Sequence, residues 1–330
     1  MQVLVTGAAG RVGRRLARLL LDRGHSVRAA VLPGDPGGEW LAEQGCEVAE
    51  VDLRDAAQVD LAVAGVDAIA HLAALMLWES SAQADEQLFE ANVHATHHLL
   101  ETAARGGGVS RFFLASSDEV YPSLEAGGEP IGEGRPLSPY SYYGLTKELC
   151  ERMALFFHRA HQLPVAVARF SLIAEPREIL SAGGWSGRLL YASGLRGILD
   201  AMGRTEAVAT LDALVADGGD PVVAARDEHG TPYRFHFCDV RDLVDGIALM
   251  LVEPGAVGRV LNLSGPAPFA YEEAAALLAD HAGVARAEVV LPGPPIQIEI
   301  DISAAREAVG YAPTWTIDRI VRDAVAVPAG

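Results

Sequence analysis

Short apolar runs alternate with helix-like segments along the first half of the chain. Residues 3–5 form the first run, and Val12, Leu16, Leu19 and Leu20 then recur at the spacing of one helix face. Similar strand-like runs follow at residues 26–32, 47–51, 66–72, 111–116 and 165–170. Because strands that alternate with helices usually pair in parallel, this pattern predicts an α/β fold with a doubly wound parallel sheet.

Three glycines in the spacing G-x-x-G-x-x-G separate the first predicted strand from the first predicted helix. A Cβ at Gly7 or Gly10 would block the approach of a pyrophosphate to the backbone, and Gly13 lets helix and strand pack closely. Free N–H groups and the dipole at the start of a helix favour an anion. Strand, glycine turn and helix in this order predict a Rossmann-type dinucleotide site, and a turn without a ligand is the alternative.

The end of the second predicted strand leaves the type of dinucleotide open. An acidic residue there would bind the ribose hydroxyls of NAD, and a basic residue would accommodate the phosphate of NADP. The chain has Val31 and Leu32 at this point. Asp35 either reaches the ribose or is a loop carboxylate, and Arg11 either reaches a 2′-phosphate or lies in solvent. NAD is the expected cofactor, with NADP kept as the alternative.

Composition narrows the classes of partner. The formal net charge of −18 argues against nucleic acid and anionic membranes. The strand at residue 2 leaves no room for a signal peptide, no apolar run is long enough to span a membrane, and the three scattered cysteines show no disulfide or zinc spacing. His94, His97 and His98 have no carboxylate or cysteine to complete a metal site. We therefore expect a cytoplasmic protein without a metal.

A tyrosine and a lysine after the fifth predicted strand carry the strongest catalytic signal. Tyr143 and Lys147 are four residues apart and share a helix face. A nearby ammonium group lowers a phenol pKa from its usual value of about 10. The pair would then exchange a proton beside a hydride transfer. Tyr140 and Tyr142 have no lysine four residues later.

With these motifs in place, the chain resembles the extended short-chain dehydrogenase/reductase family, which comprises NAD-dependent epimerases and dehydratases. The resemblance covers essentially the whole chain. The matching segments are Thr6-Gly7-x-x-Gly10-x-x-Gly13, His71-Leu72-Ala73-Ala74, Asn92-Val93-x-x-Thr96, Ser116-Ser117-x-x-Val120-Tyr121, Tyr143-x-x-x-Lys147, Asn262-Leu263-Ser264-Gly265 and Asp301-x-Ser303-x-Ala305-x-x-x-x-Gly310-Tyr311.

The resemblance implies a role for each site residue. Tyr143 would be the acid/base, and Lys147 would bind the nicotinamide ribose and tune Tyr143. Ser117 would hydrogen-bond the reacting oxygen, with Ser116 as the rival for that role. The expected cofactor-binding residues, besides Tyr143 and Lys147, are Gly7, Ala9, Gly10, Arg11, Val12, Asp52, Leu53, Leu72, Ala73, Ala74 and Asn92.

Asp118 and Glu119 follow Ser117 directly, and this order is similar to that of dTDP-glucose 4,6-dehydratases, with Ser for Thr. In those enzymes the two carboxyl groups act as acid and base for the elimination of water. Elimination beside a ketone needs a base for the ring proton and an acid for the leaving hydroxyl. The alternative is that these side chains only cap or hydrogen-bond in the loop at the strand end.

Two positions depart from the pattern of nucleotide-sugar enzymes. Leu172 stands where those enzymes carry Asn, and Phe235 stands where they carry an arginine that grips a phosphate. Arg234 is one residue off and is the candidate substitute, although a shift of one residue along a strand turns a side chain to the other face. Both departures remove a polar contact with a diphosphate.

The chain leaves the predicted sheet and rejoins it, which indicates two domains. The glycine-rich segment 177–233 is expected to build the substrate pocket, with Arg188 and Arg196 either binding an anionic group or lying in solvent. From residue 266 the pattern is mostly helical, with helices expected at 271–281, 303–309 and 317–325 and a short strand at 289–290. The expected division is a dinucleotide-binding domain of residues 1–170 and about 234–263, and a smaller, mostly C-terminal α/β substrate domain of residues 171–233 and 264–330.

Three functional hypotheses follow. The leading one is sugar epimerase or dehydratase chemistry, in which NAD(P) takes a hydride from a carbinol carbon of a sugar-like substrate. The second is a simple NAD(P)-dependent dehydrogenase of a non-nucleotide hydroxy or keto compound. The third is a cofactor-binding protein without catalysis. The resemblance also implies a homodimer formed through the helices that open near Asp85 and Tyr140.

Overall fold

A computed structural model describes residues 1–77, 81–125, 127–216 and 218–326 of the 330-residue chain. The strands, in chain order, are β1 (Gln2–Thr6), β2 (Ser26–Val31), β3 (Glu47–Glu50), β4 (Ala68–His71), β5 (Arg111–Ser117), β6 (Val165–Phe170), β7 (Leu172–Ala174), β8 (Val222–Asp227), β9 (Arg234–Phe235), β10 (Phe237–Asp239), β11 (Val260–Leu263), β12 (Phe269–Ala270) and β13 (Arg286–Leu291). The helices are α1 (Arg11–Asp22), α2 (Gly37–Glu43), α3 (Ala56–Val63), α4 (Ala82–Leu88), α5 (Ala95–Gly106), α6 (Tyr142–His161), α7 (Ala192–Ala201), α8 (Thr205–Val215), α9 (Val240–Val252), α10 (Tyr271–Ala282), α11 (Ser303–Val309) and α12 (Ile317–Ala326).

The main sheet has the strand order β11-β6-β5-β4-β1-β2-β3. Every pair in it is parallel, which confirms the predicted doubly wound sheet. The chain reverses its direction of winding between β1 and β4. In such sheets the crevice beyond the carboxyl ends of the strands at this point binds ligands.

Helices cover both faces of the sheet, and its central strands β4, β5 and β6 are buried along their whole length. One core lies on the face of α3, α5 and α6 and includes Val59, Leu99 and Phe157. The other core lies on the face of α1 and α9 and continues without a break into the C-terminal elements, as far as Ala324. The structure therefore has three layers, with the main sheet between two layers of helices. The core on the α1 and α9 side also extends into the C-terminal elements.

Outside the main sheet, the part of the chain that the structure describes also forms three small two-stranded sheets. β7 pairs with β10 and β8 with β13 in parallel, and β9 pairs with β12 antiparallel. The short strand expected at 289–290 is part of the longer β13, and the three C-terminal helices lie where they are predicted. The proposed division of the chain into a dinucleotide domain and a substrate domain stays a prediction.

Some element boundaries differ from those predicted. β2 ends at Val31 because Leu32, 59% exposed, already belongs to a turn in which its carbonyl accepts the Asp35 N–H. The helix expected to open near Asp85 starts at Ala82 and passes through a π-helical segment, Phe89–His94. Helical periodicity of 3.6 residues does not reveal such a local widening.

Candidate active site

The glycine turn between β1 and α1 is shaped by close backbone contacts. Gly7 has a left-handed φ of +65°, and a Cβ there would lie 2.9 Å from the Cα of Ala73. A Cβ at Gly13 would overlap the carbonyl oxygen of Gly7, so a side chain at this position would separate α1 from the turn. A Cβ at Gly10 would meet only the same carbonyl oxygen, at 3.2 Å, among the described residues. Gly10 therefore leaves a space beside the start of α1.

The start of α1 has the features of an anion site. The N–H of Arg14 is the first to bond within the helix, to the carbonyl of Gly10 at 3.0 Å. The three N–H groups before it, at residues 11–13, have no acceptor within the helix. Ala9 lines the open groove beside this turn, while Val12 packs against the core. The space at Gly10 and these N–H groups fit a pyrophosphate.

The side chain of Arg11 has a different place from both alternatives of the sequence analysis. It donates to the carbonyl of Ile173 at 3.1 Å and forms an ion pair with Glu178 at 2.5 Å. It therefore neither lies free in solvent nor is available for a 2′-phosphate. The contribution of Arg11 to a cofactor site would come from its backbone N–H.

In the loops after β2 and β3, where the adenosine of a dinucleotide is expected, the carboxylates bond to residues close by in the sequence. Asp35 accepts the N–H of Gly37 at 2.8 Å, as a loop carboxylate does. Asp52 pairs with Arg54 at 2.6 Å, and the hydrogen bond from this arginine lowers the pKa of Asp52. Asp55 caps α3 by accepting the N–H groups of Ala57 and Gln58. The role of Asp52 in cofactor binding stays a prediction.

Three more predicted cofactor residues, Leu53, Leu72 and Ala73, are held in place by neighbouring residues. Leu53 packs against the core under α5, and its carbonyl lies 3.1 Å from Nδ1 of His98. Thr6 accepts the N–H groups of Leu72 and Ala73, both at 3.2 Å. The loop after β4 is thereby held against the glycine turn, with the small residue Ala74 exposed beyond it.

Buried polar residues hold this loop from below. Asn92 exchanges two hydrogen bonds with the backbone of Leu75 and donates a third to the hydroxyl of Thr146 on α6. His71 lies between Thr6 and Thr96, and burial lowers its pKa to about 3, which keeps the ring neutral. Asn92 thus positions the loop after β4 relative to α6.

α6 brings Tyr143 and Lys147 to the end of β5. Ser141 caps the helix by accepting the N–H of Gly144 at 2.9 Å. Lys147 is buried, donates to the carbonyl of Ala115 at 3.0 Å and lies 5.6 Å from the centre of the Tyr143 ring. The two side chains share one face of α6, at the carboxyl edge that also carries the glycine turn.

The electrostatics around Tyr143 differ from the expectation. Burial raises its pKa above the usual value, the charges of Glu119 and Asp118 raise it further, and a hydrogen bond with Ser117 opposes the rise. Burial also lowers the pKa of Lys147. The net direction for Tyr143 is therefore opposite to the one expected from a neighbouring ammonium alone.

The two serines at the end of β5 point to opposite sides, because side chains alternate along a strand. Both serines border the cavity of Tyr143, but Ser117 is the one that forms a hydrogen bond with Tyr143, and it also accepts the N–H of Glu119 at 3.2 Å. The hydroxyl of Ser116 donates to buried Glu151 at 2.5 Å. This arrangement favours Ser117 over Ser116 as the partner of a reacting oxygen.

Sequence reasoning missed the buried network behind Ser116. Glu151 forms a two-pronged ion pair with Arg169, at 2.9 and 2.6 Å, and Arg169 donates to the hydroxyl of Tyr121 at 2.6 Å. Tyr121 in turn donates to Asn262 on β11. The position of Glu151, four residues after Lys147, is the signal that could have placed it on the catalytic face of α6.

Asp118 and Glu119 both face the cavity. Burial, together with the charge of Glu119, raises the pKa of Asp118 to about 7. Burial also raises the pKa of Glu119, whose carboxylate accepts a hydrogen bond of 2.5 Å from Ser141. Near neutral pH, Asp118 is therefore able both to donate and to accept a proton.

A cavity of about 1040 Å³ extends from these residues toward the small sheets. Three predicted substrate residues, Ser116, Leu172 and Arg188, line it. Phe235 lines it too, whereas its neighbour Arg234 does not belong to the lining. Arg204 is a lining residue that the sequence analysis did not single out. A side chain at the end of a loop carries no periodic signal that would have revealed it.

Two arginines considered as anion contacts, Arg234 and Arg196, are not among the residues that line the cavity. Arg234 lies outside the lining, because adjacent residues of a strand face opposite sides. Arg196 pairs with Asp212 at 2.7 Å and with Asp200 at 3.4 Å on the surface of α7.

No three His, Cys, Asp or Glu side chains form a group that could hold a metal ion in residues 1–77, 81–125, 127–216 and 218–326. His94 instead pairs with Glu90 on the next helical turn, and the His97 ring packs against Phe157. Over the same ranges, no helix is both long and apolar enough to cross a bilayer.

The model of the NAD dependent epimerase/dehydratase family matches residues 3–264. The chain belongs to this family. A short-chain dehydrogenase/reductase superfamily protein from Agrobacterium tumefaciens, solved with bound NAD, is 32% identical and superposes with a TM-score of 0.85 over 98% of this chain and 96% of that one. This likeness and the strand order confirm the fold class.

Two curated relatives of this epimerase/dehydratase family member match only about half of the chain. A dTDP-glucose 4,6-dehydratase from Streptomyces antibioticus is 34% identical over 188 residues, 52% of this chain and 53% of that protein. A 3 beta-hydroxysteroid dehydrogenase/Delta 5-->4-isomerase from Mycobacterium tuberculosis is 38% identical over 168 residues, 47% of this chain and 42% of that protein. The chain spans about half the length of these curated relatives.

Proposed function

We propose that this protein is an NAD-dependent oxidoreductase of the extended short-chain type, which performs sugar epimerase or dehydratase chemistry at a carbinol carbon. The observation that carries the proposal is the position of Tyr143, Lys147 and Ser117 at the same sheet edge as the glycine turn. NAD, when bound, supplies the hydride acceptor. The NAD found in the Agrobacterium tumefaciens structure supports this choice over NADP, as does the engagement of Arg11 with Glu178.

The residues at this site would have different roles in the reaction. Ser117 would hold the substrate hydroxyl while Tyr143 takes its proton. Lys147, fixed by the carbonyl of Ala115, would bind the nicotinamide ribose. The glycine turn and the first N–H groups of α1 would hold the pyrophosphate, and Asn92 fixes the loop after β4 beside it.

Asp118 and Glu119 support an elimination after oxidation. Removal of a proton beside the new ketone needs a base, and departure of a hydroxyl needs an acid. The raised pKa of Asp118, about 7, suits the acid, and Glu119 with its hydrogen bond to Ser141 suits the base. The likeness to a dTDP-glucose 4,6-dehydratase supports the same chemistry.

A simple dehydrogenase of a non-nucleotide hydroxy compound is the second candidate. It is favoured by Leu172 and Phe235, which place apolar side chains where nucleotide-sugar enzymes carry polar ones. A non-catalytic role is disfavoured, because the Tyr-Lys pair is complete and buried beside Ser117.

The deciding experiment follows the cofactor. We expect purified protein to retain NAD and to convert a sugar-like substrate without a net change in the redox state of the cofactor. Stoichiometric release of NADH with product would favour the simple dehydrogenase. Tyr143→Phe is expected to bind NAD normally and to lose at least about 100-fold in turnover. A Tyr143→Phe variant that behaves like the wild type in every assay would support the non-catalytic hypothesis.

We also propose that the protein is a cytoplasmic homodimer. Exposed apolar residues on one face of α6, Leu145 at 38% and Phe156 at 53%, offer a surface for a second copy. The three cysteines are free and buried, which suits a reducing compartment. Sedimentation of the wild type and of Phe156→Glu would test the dimer, since the charged variant is expected to sediment as a monomer.

A further inference from the structure

The two ends of the large cavity differ in chemistry. Ser117, Asp118, Glu119 and Tyr143 line the reacting end. The opposite end is built mainly from apolar side chains of β7, β9, α7 and the loops beside them. These side chains are Leu172, Leu189, Ile198, Met202, Phe235 and Ile298.

Phe235 forms a fixed wall of the apolar end. It is 6% exposed, and its ring lies 6.1 Å from that of Phe237 and 5.7 Å from that of Tyr271. The backbone on both sides of Arg234 is bonded to the chain at Ile296 and Ile298. This register keeps Phe235 in the cavity and Arg234 out of it, because a slip would break both hydrogen bonds.

Leu172 supplies the second apolar surface where a polar contact with a diphosphate is expected. It begins β7, which pairs in parallel with β10 from Leu172 opposite Phe237. The two departures from the nucleotide-sugar pattern, Leu172 and Phe235, therefore lie on adjoining walls of one cavity. A diphosphate placed there would lose its hydration without gaining these two contacts, which is costly.

The arginines at this end are held by the protein itself. Arg204 donates to the carbonyl of Pro294. The guanidinium of Arg188 lies over the ring of Trp185 at 4.5 Å. Both arginines line the cavity, which also contains Asp118 and Glu119 at the reacting end.

We propose that the substrate is a hydroxylated ring that carries an apolar or aromatic substituent in place of a nucleoside diphosphate. This inference rests on the proposed function, which places the hydroxylated ring beside Tyr143. The substituent would lie between Leu172 and Phe235. Burial of one apolar or aromatic substituent there is expected to strengthen binding of the substrate by at least about 10-fold.

The test uses two probes of the apolar end and needs no turnover. The neutral fluorophore N-phenyl-1-naphthylamine is titrated into the NAD-saturated protein, and UDP is titrated in parallel by calorimetry. We expect one saturable fluorophore site per chain and no heat from UDP. Phe235→Arg and, separately, Leu172→Asn are expected to weaken the fluorophore at least about 10-fold. Phe235→Leu is the matched control and is expected to bind it within about 10-fold of wild type.

The outcomes separate this inference from the proposed function. Micromolar binding of UDP to the wild type, or fluorophore binding that none of the variants changes, overturns the apolar substrate class. Neither result bears on Tyr143, whose role is tested by turnover. Circular dichroism checks that each variant is folded, and Leu172→Asn, at a half-buried position, keeps the test valid if Phe235→Arg does not fold.

Discussion

The raised pKa of Asp118 leads to a prediction about protein stability that can be tested before any substrate is known. Burial and the neighbouring Glu119 raise the pKa of this carboxyl from 3.8 to about 7 in the folded protein. The folded state therefore holds the proton more tightly than the unfolded state. As pH rises from about 4 to 7, the unfolded chain ionises first and the folded protein loses stability. Asp118→Asn replaces the ionisable carboxyl with a neutral amide, so the variant should not show this loss of stability with rising pH.

The magnitude follows from the difference in pKa. Each pKa unit corresponds to about 1.4 kcal/mol, so a rise from 3.8 to about 7 gives a total penalty of about 4 kcal/mol. The free energy of unfolding of Asp118→Asn, minus that of the wild type, should therefore grow by about 1.4 kcal/mol per pH unit below pH 7. Above pH 7 this difference should level off.

Urea unfolding of both proteins at a series of pH values from 5 to 8 measures this difference. Asp55→Asn is the control, because hydrogen bonds from Gln58 and the helix N-terminus lower the pKa of Asp55. A lowered pKa gives stability that is lost only at more acid pH. The control difference should therefore stay constant over the series. A constant difference for Asp118→Asn as well would refute the account of Asp118 as a buried carboxyl with a raised pKa.

Three further predictions concern the rest of the site. Gly13→Ala places a Cβ against the carbonyl oxygen of Gly7, so the variant should lose about 3 kcal/mol of stability on urea unfolding and bind NAD weakly by calorimetry. Glu151→Gln weakens the buried ion pair and should cost about 3 kcal/mol on urea unfolding. Glu119→Gln removes a charge that raises the pKa of Tyr143. The tyrosinate absorbance assigned to Tyr143 by difference from Tyr143→Phe should then appear at lower pH, and an unchanged titration would contradict this electrostatic coupling.

The sequence was sufficient for six of the seven strands of the main sheet, β1 to β6, because most of them are apolar runs between helix-like segments. The six predicted strands are present, and the glycine turn has the close contacts that its spacing implies. Both are local patterns: a strand buried on two faces must be apolar, and a turn against a backbone must be glycine.

The side-chain partners within the site were not predictable in this way. The partner of Arg11 is Glu178, and that of Ser116 is Glu151. Each pair joins residues far apart in the chain, so no spacing rule connects them before the tertiary contacts are known. The predicted direction of the pKa shift of Tyr143 was wrong for the same reason. This direction depends on burial and on the charge of Glu119, and both act on Tyr143 only in the folded protein.

The reaction and the choice of substrate depend on different elements of this fold. Ser117, Tyr143 and Lys147 come from β5 and α6, which are anchored to the main sheet. Leu172 and Phe235 come from the short strands β7 and β9 of the small sheets. Substitutions in the second group can therefore change the class of compound that is bound while the acid/base geometry is kept. This separation explains how a chain with the complete Tyr-Lys pair can lack the polar contacts of nucleotide-sugar enzymes.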